Sequence, residues 1–165
     1  MKAASVSEIK KELGHIAPTK LVDIILKLSR FKKENKELIT YLLFESDSEN
    51  HYVSSVKSYM VGEFETINTT NYYYIKKSVR KILKQTKTFI RYSSVKETEV
   101  ELLLFFCENL ISLTPNIFNN KTLSNLFDRQ LNLITNKIKM LHEDLQFDYN
   151  LQKKSLLEQV PSNHF

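Results

Sequence analysis

The chain has 165 residues, with 24 Lys and Arg against 19 Asp and Glu, a formal net charge of +5. Two glycines leave no phosphate-cradling GxxxxGK[ST] or GxGxxG loop. One cysteine and four scattered histidines exclude a disulfide framework, a Cys-rich zinc site and an iron–sulfur cluster. With three prolines, the chain also lacks the turn residues that an all-β fold needs.

The N-terminal Met1-Lys2-Ala3-Ala4-Ser5-Val6-Ser7-Glu8 carries no apolar signal region, and the longest strongly apolar run, Val100 to Cys107, is broken by Glu101. A spanning helix needs roughly 20 apolar residues. The expectation is a soluble cytoplasmic protein with Cys107 as a buried thiol. Lys supplies 20 of the 24 cations and Arg only 4, a bias that coding composition alone can produce. The sequence pI of about 9.1 is therefore weak support for nucleic-acid binding.

The pattern predicts helices nearly throughout. Ser5-x-x-Glu8 forms a capping box for the first helix and Gly14 a stop. Pro18 suits the first turn of a second helix carrying Leu21, Ile24, Ile25, Leu28 and Phe31 at helical spacing. A third follows through Leu38, Ile39, Leu42 and Leu43, then a polar break from Asp47 to Asn50. The fourth carries Tyr52, Val56, Tyr59 or Met60, and Phe64. Thr70 to Tyr74 has strand propensity but no partner strand, so it reads as a helix entry after the polar boundary Ile67 to Asn71.

A fifth helix runs from about Tyr72 to Tyr92, and Ser94-x-x-Glu97 predicts the cap of the sixth. The sixth, to about Leu113, is apolar almost all round and belongs at the centre of the core. Pro115 to Asn120 reads as a loop. The last helix starts near Thr122 and ends between Asp148 and Glu158; continuous to Glu158 it would measure about 55 Å. Residues 161–165 read as a flexible tail behind a single domain of 1–160. The run Ile25-Leu26-Lys27 to Tyr41 resembles Ile82-Leu83-Lys84 to Phe105, which fits stacked helical hairpins or chance similarity of amphipathic helices equally well.

One charged constellation stands out. Lys76, Lys77, Arg80, Lys81, Lys84, Lys87 and Arg91 follow one another with no anion between them, and the remainder of the chain sums to a negative charge. At about 100° per residue they fill an arc of roughly 140°, opposite Ile75, Val79, Ile82, Leu83, Phe89 and Ile90. Like charges at i,i+4 repel, so some anion should offset the ridge. The leading expectation is solvent counterions together with compensation inside the fold, for which Glu97, Glu101 and Glu108, sharing a face of the next helix, are the candidates. Phosphate binding is the alternative, with Tyr72, Tyr73, Tyr74 and Tyr92 available for stacking on bases. An acidic protein or, least, an anionic membrane surface are further options.

Smaller signals carry less. His142, Glu143 and Asp144 are adjacent and point three ways around a helix, so no metal site is expected there. His15, His51 and His164 lie at a helix end, in a polar loop and in the tail, and no Ser, His and acid grouping suggests nucleophilic catalysis. Phe127, Leu131, Ile134, Ile138, Leu141 and Leu145 repeat at coiled-coil spacing, which predicts packing within the domain first and a homodimer seam second.

Lys33 to Glu45, Lys76 to Leu83, Glu97 to Leu103 and Leu141 to Gln146 resemble segments of a family of small, uncharacterised, all-helical bacterial proteins, over about Ser7 to Tyr149. That resemblance implies a single cytoplasmic bacterial domain and brings no activity, ligand or catalytic residue. The sequence thus predicts an all-α protein of six or seven helices without a cofactor. The leading function is a non-enzymatic module that binds a protein partner or itself. Nucleic-acid binding through the basic ridge is the alternative, and an enzyme with no identifiable site comes third.

Overall fold

The computed structural model describes residues 2–162 and 164. It is all-α: eight α-helices and no strand occur among the described residues. The chain folds as two compact units, residues 1–44 and residues 45–165, with the boundary in sequence just before the polar break at Asp47.

The first unit holds α1 (Val6–Leu13), α2 (Pro18–Phe31) and α3 (Lys33–Thr40), continued by a π-helical turn over Tyr41–Glu45. The capping box of α1 forms as its spacing predicts: the Ser5 hydroxyl accepts from the Glu8 amide while the Glu8 carboxylate accepts from the Ser5 amide at 2.7 Å. Pro18 opens α2, where its missing N–H costs no helical bond. Lys32, extended, separates α2 from α3, and Asn35 Nδ2 donates to the Leu28 carbonyl at 3.0 Å across that corner.

The second unit holds α4 (Glu49–Glu65), α5 (Tyr72–Ser93), α6 (Lys96–Ile111), α7 (Lys121–Ile138) and α8 (Glu143–Glu158). Helix α6 lies at its centre and packs against α4, α5, α7 and α8. Val100, Leu102, Leu103, Leu104, Phe106, Cys107 and Leu110 point around most of its circumference and all are buried. A solenoid repeat touches only its sequence neighbours. The four helices that α6 touches are those one and two places away in sequence, α4, α5, α7 and α8, so a central helix enclosed by its sequence neighbours is also what stacked hairpins give.

Two local expectations are corrected. Ser94 does not cap α6. It adopts the left-handed conformation (φ 59°) that ends α5, and Val95 opens α6 without a side-chain cap. The hydroxyls of Ser93 and Thr98 instead donate to the Glu49 carboxylate, tying the α5–α6 corner to the start of α4. The last helix is also not continuous. It stops at Ile138, with Lys139 as its C-cap, and α8 restarts behind His142, whose Nδ1 accepts from the Asp144 amide. No proline or glycine marks this break. Folding back lets Tyr149 and Leu156 of α8 be buried, which one straight helix of about 55 Å would forgo.

The predicted seam is split by the break but packs inside the unit: Phe127, Ile134 and Ile138 of α7 and Leu141 after it are buried, with Leu131 of α7 and Leu145 of α8 half-buried. Pro115 to Asn120, read as a loop, contains a 3₁₀ turn that buries Ile117. Of the predicted tail, Asn163 and Phe165 lie outside the described residues. Phe106 is fully buried in α6, so Phe106→Ala should lower stability by about 3–5 kcal/mol in urea unfolding.

Candidate functional sites

Asn71 starts α5 by accepting from the Tyr73 and Tyr74 amides at 2.9 and 3.3 Å. Ile75, Val79 and Ile82 of the expected apolar arc are buried, and Leu83, Phe89 and Ile90 are half-buried. With that face inward, Lys77, Arg80, Lys81, Lys84, Lys87 and Arg91 are exposed and Lys76 half-exposed, so all seven predicted cations share the outer face.

The expected internal compensation is not what the fold provides. Glu101 pairs with Lys57 of α4 at 2.6 Å, and the Lys57 ammonium lies 5.3 Å from the Phe105 ring centre. Glu108 feels the same lysine, and Glu97 and Glu101 act on the phenol of Tyr149 in α8. The carboxylate stripe therefore faces α4 and α8. The residue that does reach the ridge is Glu63 of α4, which takes Lys81 at 2.9 Å and raises its pKa through that bond and its charge. Among the described residues, no carboxylate forms an ion pair with the other six.

The ridge borders two shallow depressions. One, of about 360 Å³, is lined by Arg80, Leu83, Lys84, Lys87, Thr88 and Arg91. The Arg91 guanidinium donates to the Thr88 hydroxyl there at 3.3 Å. The second, about 400 Å³, shares Lys87 and Arg91 and adds Ile90, Glu99 and Leu133. Its one carboxylate, Glu99, is held by Lys137 at 2.7 Å.

The four tyrosines near the ridge divide. Tyr92 is buried, with its ring against Phe89, so it cannot stack on a ligand. Tyr72 donates its hydroxyl to the Asn116 carbonyl at 2.7 Å. Tyr73 and Tyr74 are exposed, ring centres 5.4 Å apart and edge to face.

Sequence reasoning missed a second surface. None of the described residues before Tyr41 is buried, although α1, α2 and α3 are all amphipathic. Val22, Ile25, Leu26, Leu28 and Ser29 face Ile39, Leu42 and Leu43 across an apolar groove of about 490 Å³. The helical periodicity was visible in the sequence; that too little chain is available in this unit to cover it was not.

Two further groupings are structural. His164 Nε2 lies 2.8 Å from Asp128, its Nδ1 3.4 Å from the Ser124 hydroxyl, and its ring 4.4 Å from Phe118. A hydrolase triad has the opposite ring order, with Nε2 on the hydroxyl and Nδ1 on the carboxylate. The arrangement reads as a latch holding the chain end on α7. His142 caps α8, His51 pairs with Glu45 at 2.9 Å, and no three His, Cys, Asp or Glu side chains gather among the described residues. Cys107 is fully buried, and burial holds its thiol well above the ordinary cysteine range, against nucleophilic or redox chemistry.

No described helix is long and apolar enough to cross a membrane. No family model, curated protein or solved structure matches the chain.

Burial raises the Glu108 carboxyl above its usual range despite the opposing pull of Lys57. A raised folded-state pKa favours folding below the unfolded value and loses that contribution as pH rises through the folded one. Glu108→Gln should therefore match wild type at about pH 4, where the carboxyl is largely neutral in both states, and be the more stable protein near pH 7. Urea titrations across that range check it; a variant that loses stability near pH 7 contradicts it.

Proposed function

We propose that the chain is a non-enzymatic helical interaction module that self-associates through residues 2–44. The observation that carries this reading is the open apolar face of α1, α2, α3 and the π turn. Eleven large apolar side chains are exposed there, from Val6 at 83% to Phe44 at 77%. Exposed apolar side chains gathered along a groove, as Val22, Ile25, Leu26, Leu28, Leu42 and Leu43 are here, mark an interaction surface.

A second copy is the occupant this unit fits, because it carries both halves of a contact. Val6, Ile9 and Leu13 form one stripe along α1, at i, i+3 and i+7, and bury nothing. Eight residues make that stripe about 12 Å long, and the α2 wall of the groove from Val22 to Ser29 runs about 10 Å. In a twofold pair, α1 of each copy would lie in the α2–α3 groove of the other, making the same contact twice.

Sedimentation equilibrium tests this. Wild type should approach twice 19.4 kDa as concentration rises, while Val6→Asp and Leu26→Asp, both at exposed positions, stay monomeric with unchanged helix content. Residues 2–44 hold nine cations and five anions, so the paired units repel and added salt should tighten the dimer. A monomer at every concentration, or a dimer indifferent to Leu26→Asp, overturns the reading.

A further inference from the structure

Independently of self-association, we propose that the outer face of α5 binds single-stranded nucleic acid, with phosphates on Arg80, Lys84, Lys87 and Arg91 and a base on Tyr73. At about 100° per residue, Tyr73 falls within roughly 20° of Arg80 and in line with Lys84, Lys87 and Arg91. Lys76 and Lys77 flank the same line one turn before Arg80. The row from Tyr73 to Arg91 runs about 27 Å along one straight helix. Lys81 lies about 90° from the centre of the row, and it is the cation that Glu63 neutralises. The fold thus offsets the cation outside the row, while the carboxylate lining the depression beside Lys87 and Arg91, Glu99, is taken up by Lys137.

Tyr73 is 67% exposed at the head of that row, its ring edge to face with Tyr74. An exposed aromatic ring in line with a cationic groove is the arrangement that holds single strands: the groove follows the phosphates and the ring stacks on a base. The depression beside the row has an apolar wall at Leu83, and its neighbour has Ile90 and Leu133, surfaces that suit a ribose or base edge. A duplex hides its base faces and would leave Tyr73 unused. A membrane surface would require exposed apolar side chains beside the cations. Here the aliphatic Leu83 and Ile90 are half-buried, and the exposed large apolar groups of α5 are Tyr73 and Tyr74, confined to its first turn. An acidic protein would satisfy the charges without using the ring.

The test is fluorescence anisotropy on the full chain with a labelled oligouridylate about 12 nucleotides long, the matching duplex, and poly-glutamate as competitor. The single strand should bind tightest, with a log–log salt slope of about −0.7 per phosphate contact, near −3 for four. Arg80→Gln/Lys84→Gln/Arg91→Gln should weaken it about tenfold or more and flatten that slope. Tyr73→Ala should weaken the single strand about tenfold and leave the duplex unchanged. Lys81→Gln should have less than about a twofold effect, since Glu63 already occupies it. The proposal is overturned if oligouridylate fails to bind at near-physiological salt. It is equally overturned if the triple variant, folded by circular dichroism, binds like wild type. Poly-glutamate or duplex binding as tightly as the single strand, with Tyr73→Ala silent, would make the ridge a general polyanion or acidic-protein surface instead.

Discussion

Everything in the second unit depends on a central helix with almost no polar face. A helix that is apolar around most of its circumference must be surrounded, because each exposed side would leave large aliphatic or aromatic groups in water. For α6 the fold supplies four neighbours, α4, α5, α7 and α8. That requirement explains why the chain reverses at Ser94 in a left-handed conformation, since a tight return lays α5 directly on α6. It also accounts for the break at Lys139 to His142: a helix continuing straight past α6 could not bring Tyr149 and Leu156 back to it.

Surrounding α6 also decides where charges go. Its few carboxylates sit where the neighbours meet, so each finds a cation or a phenol from α4, α7 or α8: Glu101 with Lys57, Glu99 with Lys137, Glu97 near Tyr149. Helix α5 touches α6 with its apolar side, and its cations consequently form no ion pair with these acids; even Glu99, which lines a depression with Lys87 and Arg91, is taken by Lys137. The separation of charge on the surface follows from the packing of the core. Like-charge repulsion along α5 is then a cost the fold carries without local relief, except at Lys81.

The all-α class, the position of α6 and the arc of the ridge were legible because each rests on local periodicity, which a single helix displays in its own residues. The polar boundary before α5 was legible for the same reason, but which of the several possible caps from Ile67 to Asn71 would be used was not. What the sequence could not display were relations between helices. Glu97, Glu101 and Glu108 do share a face, yet which neighbour that face meets is a matter of tertiary packing. The α7–α8 break left no proline or glycine because burial of α8 drives it, not a local backbone preference. Ser94-x-x-Glu97 fits a capping box as well as Ser5-x-x-Glu8 does, and only the second forms; at Ser94 the demand for a chain reversal outweighs a single capping bond.

The two units answer the same problem, an excess of apolar side chains, in opposite ways. In the second, enough helices surround one apolar helix to enclose it. In the first, three short helices and a π turn share too little surface to enclose anything before Tyr41, and the apolar groove of Val22 to Leu43 stays open. An isolated helix the length of α1, eight residues, is marginal in water even with a good cap. Its amphipathic stripe has value only when seated against another apolar face. A sequence that maintains Val6, Ile9 and Leu13 at helical spacing, behind a complete capping box, specifies a helix whose stabilising contact is not supplied by its own unit. The open groove of matching length on that unit is what makes a second copy the fitting source of that contact.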